Sequence, residues 1–516
     1  MALQNQGLFF VALVAVLILA IMGAQILLAP MDFWDGRILS HAFETGELDG
    51  VWNWFTESGW FVQLGIIVTL ESFLGPLTIY GLRFLSVIAL CGIAIETYKF
   101  ARGTLQMTRT DGLFVAAATS AFPAWSALLS SVLFIYVLCV WLVLLAVRLI
   151  MTGEFLPRLA GSLLLLLSLD MSSNHVFSIA LAAVYATCSW RNKDSRDPSI
   201  LLYFGLVTVI SVGAFFVEQL LFEATGLYAN YNHISISELI EHPTEHVVLL
   251  TRFFSYPIAA AVIVVAASFA VRVVVPVRPQ GVSHDSRMSL WPILVGLFLV
   301  GAAAFPYVIV GKGTDIRVLD DWSPRHAFLA AMPVAVVLVG LGRAAANRLK
   351  IHPWLLAQLP IICTILAFLG LQGAGTWIKL SRGAYETGII QALSVLPPPP
   401  PGTVQLVAPS LPGPRMRFYE VNWLMFQGFG REDWFANAGQ SEGGGRELPG
   451  WAVQPSELQQ IYKVKHIMQG FTLGCDTMIT VLGPQYTVRA RLAWLIWGDD
   501  LIPALSVEID TQCDAN

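Results

Sequence analysis

Asp32 and Asp35 stand three residues apart just after the first apolar run, in the segment Met31-Asp-Phe-Trp-Asp-Gly-Arg37. On a helical turn they would share one face. Two close carboxylates raise each other's proton affinity, so one can act as a general base while the other binds a cation or orients an acceptor. The same acids would equally serve as caps in a solvated loop. Further acids follow at Glu44 and Asp49, with Arg37 between. Later in the chain come Asp170 with His175, and the pair Arg325 and His326 at the start of an apolar stretch. His175 fits either a cavity histidine or a satisfied helix start. Neighbouring helical residues point about 100° apart, so only one of Arg325 and His326 can face a given cavity. Arg325 is favoured because it cannot lose its charge, although an arginine at a span end also snorkels to headgroups. Lys312, Arg317, Asp320 and Asp321 read as a solvated loop of mixed charge. His242, Glu245 and His246 offer metal-ligand types, but their spacing is no known zinc signature.

These residues must be positioned by a membrane-embedded scaffold. Of 516 residues, 56% are hydrophobic and 13% charged, against about 25% charged in a soluble protein. The apolar residues fall in runs near the length that crosses ~30 Å of hydrocarbon. About eleven spans are expected: 7–29, 78–98, 112–128, 129–150, 159–170, 172–190, 199–223, 252–275, 289–311, 327–348 and 354–377. The first lacks preceding Lys or Arg and reads as a retained anchor. A net charge of −5 offers no basic face for nucleic acid. Lys99, Arg102, Arg109, Arg148, Arg158 and Arg191 gather at one set of span ends, while Asp32, Asp35, Glu44, Asp170 and Asp315 gather at the other. Basic loops stay on the cytoplasmic side, so the N-terminus is expected inside and the first loop and tail outside. In the first loop, 30–77, Trp52, Trp54, Phe55, Trp60 and Phe61 suit either a helix lying in the interface or an ordinary aromatic belt. Glu71 and Glu96 sit in apolar surroundings, Glu96 within reach of Lys99.

After a transmembrane domain, 1–377, a short surface helix is expected over 378–396, with Trp377, Lys379 and Arg382 at headgroup depth. Pro397 to Pro401 complete a stiff linker, 378–402. The tail, 403–516, reads as a small α/β domain: a strand at Thr403–Val407, a helix at Phe418–Phe435, and alternating segments at Thr477–Leu482 and Val488–Ile496. Its tryptophans serve as core or as a glycan surface. Of six cysteines, Cys91, Cys139, Cys188 and Cys363 lie in apolar segments. Cys475 and Cys513 lie in the tail, where a bridge would form in an oxidising compartment. The fold class is therefore an all-α polytopic membrane domain plus a small C-terminal α/β domain.

The acidic motif Asp32-Phe-Trp-Asp35 beyond the first span, with Thr45-Gly46 following, resembles that of GT-C integral-membrane glycosyltransferases. Leu167-Ser-Leu-Asp-Met-Ser-Ser-Asn-His175 is similar to their Ser/Thr-His turns, and Ser323-Pro-Arg-His326 to a segment that meets the phosphate of a lipid-linked donor. The resemblance covers about 1–377 and departs from the common pattern in having Asp-Gly at 35–36, where two adjacent acids are usual. Asp49, Glu44 or Asp170 would then supply the second acid.

The resemblance implies inverting transfer of a sugar from a polyprenyl-phosphate donor to a cell-envelope glycan or lipid acceptor at the periplasmic face of a bacterial inner membrane. Asp35, then Asp32, would act on the acceptor hydroxyl. Arg325, with His326, would meet the donor phosphate, and Arg37 or His175 the acceptor. Related folds differ in needing a divalent cation such as Mg or Mn, which the sequence leaves open. Two other readings stay open: an oligosaccharide polymerase or ligase, whose site would be dominated by Arg and His, and a transporter or assembly subunit without chemistry.

Overall fold

The computed structural model describes residues 2–46, 48–191, 198–221, 241–274, 290–319, 321–349, 354–411, 416, 418–431, 434–438, 475–483, 486, 488 and 505–513. Helices occupy each of the expected stretches. Among the described residues seven are long and apolar enough to cross a membrane, or eight if a pair bent by 46° counts as one crossing. The chain is thus a helical polytopic membrane protein with a small sheet region.

The first helix, α1 (Ala2–Leu27), ends at the acidic loop, which folds into α2 (Gly36–Thr45) and α3 (Asp49–Glu57) before α4 (Phe61–Leu74). Gly46, at φ 74°, supplies the left-handed residue that closes α2. The start of α4 is capped from a distance. The Asp170 carboxylate accepts from the Val62 and Gln63 amides, both at 3.2 Å, which satisfies two of the orphan donors of that helix end. Next comes α5 (Thr78–Lys99), whose buried Arg83 donates to the carbonyls of Ala29 and Met31, each at 2.7 Å. Those bonds fix the exit of α1 against α5.

Thr108 caps α6 (Arg109–Ser120) by accepting from the Asp111 amide at 3.1 Å. The chain then bends into a 3-10 segment, Pro123–Leu129, where the Trp125 indole donates to the Thr119 carbonyl at 2.7 Å. Helices α7 (Phe134–Thr152), α8 (Phe155–Ser168) and α9 (Ser173–Arg191) follow with short turns, then α10 (Ser199–Leu221), α11 (Pro243–Phe253), α12 (Ser255–Val274) and α13 (Trp291–Val308). A second 3-10 segment, Ser323–Ala330, leads into α14 (Ala331–Arg348), the most enclosed apolar helix.

The last membrane helix differs from expectation. No separate surface helix covers 378–396; α15 is continuous over Trp354–Ser394. Its 41 residues make it roughly 60 Å long, about twice the hydrocarbon thickness. Lys379 and Arg382 are buried at 1% and 2% exposure rather than set among headgroups. Protein groups take them instead: Lys379 donates to the Leu319 carbonyl at 2.8 Å, and Arg382 pairs with Glu386 and Glu420.

The tail forms a four-stranded sheet ordered β2-β1-β3-β4, from β1 (Gly402–Val407), β2 (Trp434–Ala438), β3 (Cys475–Leu482) and β4 (Ser506–Cys513). β1 is parallel to β2 and β3, and β4 is antiparallel to β3. A single helix, α16 (Phe418–Phe429), connects β1 to β2 and packs on α15. It stops short of the expected Phe435, because Gly430 turns left-handed at φ 67° and Trp434 opens a strand. Trp434 is itself core. Cys475 and Cys513 face each other in the β3–β4 register and are disulfide-bonded. The segment Val488–Ile496 lies outside the described residues except for Val488, as do Trp451, Trp494 and Trp497.

Candidate functional site

The first loop holds its acids differently from a helical turn. Trp34 sits at φ 52°, a left-handed conformation that costs a non-glycine residue of the order of 1–3 kcal/mol. It reverses the chain between Asp32 and Asp35, so the two aspartates do not share a helix face. Asp32 is buried at 5% exposure, and its Oδ1 accepts from the Phe33 amide at 2.8 Å and the Ser131 amide at 2.9 Å. Among the described residues nothing partners its Oδ2. Asp35 is half-buried at the N-cap of α2. The glycine at position 36 has a steric cause: a Cβ there would lie 2.3 Å from Asp32 Oδ1. The carboxylate occupies the space a second adjacent acid would need.

The strained Trp34 is clamped. Its ring stacks on Trp322 with centroids 5.9 Å apart, and the Arg325 guanidinium lies 4.4 Å from its centre on the way to donating to the Trp322 carbonyl at 2.9 Å. Acidic loop and Arg325 therefore meet through Trp34.

Beside this cluster lies a cavity of about 630 Å³ between α9, α10 and α13. Its wall is apolar, including Val176, Ile179, Phe215 and Phe305, and the first loop contributes Trp60. Rim residues Val212, Phe216 and Phe305 are exposed at 41%, 58% and 51%, so the opening faces outward from the bundle. The polar groups include Lys312, His326, His175 and the Ser172–Ser173 turn. Thus His326, not Arg325, faces the cavity, the reverse of the sequence preference. The His326 ring packs on Tyr307 at 4.8 Å, with Nδ1 3.2 Å from the Gly313 carbonyl.

Lys312 follows Gly311, whose φ of 69° turns the chain at the end of α13. Burial, and the nearby Arg325 charge, push its ammonium down to about 7. In sequence this residue reads as part of a solvated loop, since its burial comes from distant helices. His175 Nδ1 lies 2.7 Å from the Ser211 carbonyl and Nε2 3.4 Å from Glu218. Asp170 is used as the α4 cap, and burial raises its carboxyl to about 6 against the pull of the amides.

Another assembly reaches the loop from the tail. Arg37 and Glu386 pair, Glu386 pairs with Arg382 at 2.8 Å, and Arg382 pairs with Glu420 at 2.8 Å. All four side chains are at most 3% exposed. The Arg37 guanidinium also lies 4.3 Å from the Trp423 ring centre. Arg37 is thus a structural tie and not an open acceptor contact. Glu44 is exposed and accepts from Gln427 at 2.8 Å, and Asp49 is exposed in the first turn of α3. Neither joins Asp32. Arg382 and Glu386, four apart in an apolar helix, were the available sequence signal for this network.

Elsewhere, Glu96 pairs with Lys99 as expected, and also with Arg148. His246 Nδ1 lies 2.8 Å from the Val308 carbonyl. No group of three His, Cys, Asp or Glu able to hold a metal occurs among the described residues. Comparison with family models, curated proteins and solved structures finds no match for this chain.

Proposed function

We propose that this protein is a GT-C-type membrane glycosyltransferase that takes a sugar from a polyprenyl-phosphate donor and passes it to a cell-envelope glycan or lipid acceptor. The observation that carries the reading is the outward-opening apolar cavity ending at Lys312 and His326, where Arg325, the neighbour of His326, lies over Trp34 of the loop that holds the buried Asp32 carboxylate. An isoprenoid chain suits the apolar wall, and a phosphate suits its cationic end. In the transfer, the acceptor hydroxyl attacks the anomeric carbon, the bond from that carbon to the phosphate oxygen breaks, and the hydroxyl proton passes to a carboxylate. Lys312 would stabilise the charge left on the departing polyprenyl phosphate. Asp32 is taken as the base ahead of Asp35, a choice supported by one Asp32 oxygen being held by two amides while the other is bare among the described residues. The proposal includes about eleven crossings, an N-terminus inside and a tail outside, and it leaves a divalent ion as a variable to be measured.

A polymerase or ligase acting on lipid-linked glycans is the second reading, favoured by His175, His326 and Lys312 lining the cavity. The two separate on Asp32. In cells carrying Asp32→Asn, a GT-C enzyme loses about 10²-fold or more of its product and accumulates donor. A polymerase relying on the cationic groups keeps its product. If Asp32→Asn together with Asp35→Asn leaves all glycans and lipid-linked intermediates at wild-type levels, the transferase reading fails.

A further inference from the structure

A second cavity, of about 550 Å³, lies at the far end of the bundle and plays no part in the proposed transfer. Sixteen residues of α5 separate Arg83, which ties the first loop, from Lys99, which lines this cavity. That is roughly 24 Å along the helix axis. The lining includes Lys99, Arg102, Arg148, Thr104, Gln106 and Tyr185.

Three cations thus converge on one concave surface, and among the described residues the one carboxylate beneath them does not balance them. Glu96 is buried at 5% exposure and bonds both Lys99, at 2.9 Å, and Arg148. One negative charge is shared by two cations, whose side chains stay 44% and 22% exposed. Arg102 has no carboxylate among the described residues; its guanidinium donates to the Met107 carbonyl. Its stem is held against Gly112, where a Cβ would lie 2.9 Å from Arg102 Cγ.

The backbone at this place is also unusual. Residues Phe100–Thr104 form a π-helical turn at the end of α5, and Gln106 adopts φ 55°. Single π turns and left-handed non-glycine residues both cost stability and concentrate at functional sites. Here they carry the chain away from α5 so that Arg102, Thr104 and Gln106 border the same hollow as Arg148 and Tyr185.

We propose that this cavity binds a phosphate group. An excess of guanidinium and ammonium donors in a concave setting between helices fits an anionic phosphate, and basic pockets of this kind at a membrane surface take lipid headgroups. The two sources of that chemistry are an acidic phospholipid at the membrane edge and a soluble phosphate.

The test uses the full chain in neutral detergent, with ligand occupancy counted by native mass spectrometry. The probes are dihexanoyl phosphatidylglycerol, dihexanoyl phosphatidylcholine and inorganic phosphate. Wild type is expected to bind the phosphatidylglycerol in preference to the zwitterionic lipid. Lys99→Gln and Arg102→Gln should each weaken binding about fivefold, while Lys99→Arg should bind within about twofold of wild type because the charge is kept. Arg158→Gln, whose residue stacks on Tyr203 outside the lining, is the control and should bind as wild type does. Inorganic phosphate binding with the same sensitivity to Lys99→Gln and Arg102→Gln would identify a soluble ligand; binding of phosphatidylglycerol alone would identify a lipid headgroup. Equal binding of both lipids with no binding of inorganic phosphate overturns the proposal. So does anion affinity unchanged in a folded, monodisperse Lys99→Gln/Arg102→Gln protein.

Discussion

Replacing Glu386 by Gln removes the central acid of the buried Arg37–Glu386–Arg382–Glu420 chain. Its side chain is fully buried and the two arginines beside it are 1% and 3% exposed, so water cannot replace the lost charge. Arg37 then loses the carboxylate it pairs with, and Arg382 keeps its pair with Glu420. Removing one partner of a buried ion pair costs about 3–5 kcal/mol, which multiplies the opened population by roughly 10²–10³ or more. The network ties α2 to α15 and α16, so the opening should appear there first. Native-state hydrogen exchange, read on peptides from Gly36–Thr45 and Phe418–Phe429, measures it. Protection should fall by that factor in Glu386→Gln and recover at least tenfold in Arg37→Met/Glu386→Gln, where Arg382 and Glu420 are left as a balanced pair. Unchanged protection in the single variant, or a double variant opened by the sum of both single effects, would show that the four charges do not act as one buried network.

Gly36→Ala drives a methyl into the Asp32 carboxylate, which must retreat by about 1 Å and lose its Ser131 bond; a shift of that size is expected to lower product formation about 10²-fold, while α2 remains folded by circular dichroism and hydrogen exchange. Lys312 must carry its proton to hold a phosphate. Its ammonium titrates near 7, so binding of a polyprenyl-phosphate sugar, a diester with no proton to lose near neutrality, should be tightest below that pH and weaken by up to tenfold per unit above it. Equilibrium binding across pH 5.5 to 9 checks this, and Lys312→Gln should flatten the profile. Cys513→Ser opens a bridge spanning 38 residues and should destabilise the tail by about 4 kcal/mol, seen as faster proteolysis beyond Pro401. An impermeant thiol reagent applied to intact cells after reduction should reach Cys475 or Cys513; protection of both until permeabilisation would reverse the proposed orientation.

The scaffold was legible because hydrophobic run length is a local property. Apolar stretches such as 199–223 and 289–311 declare helices by composition, and β1 and β3 declare themselves by alternation. The chemistry was legible in residue type more than in placement. Asp32, Arg325 and His326 were marked by their polarity at span ends, yet which of the last two faces the cavity depends on how a 3-10 segment turns against Trp34 and Tyr307. Lys312 and the Arg382–Glu386–Glu420 chain were missed because burial of a charge is decided by partners far off in sequence. Lys379 and Arg382 look in sequence like residues that reach for headgroups, and only the packing of α16 and the Leu319 carbonyl turns them inward. Asp-Gly at 35–36 reads as a missing acid until the Asp32 side chain is seen filling the space over Gly36.

On the proposed function, the cavity between α9, α10 and α13 would hold the lipid phosphate of a sugar donor. The most direct measurement is photocrosslinking of the purified chain with a polyprenyl phosphate carrying a diazirine on its first isoprene unit, followed by peptide mapping. Adducts are expected on cavity-lining residues of α9, α10 or α13, diminished in Lys312→Gln and competed by unlabelled polyprenyl phosphate. Adducts confined to other faces of the bundle, or equal labelling in Lys312→Gln, would contradict that placement.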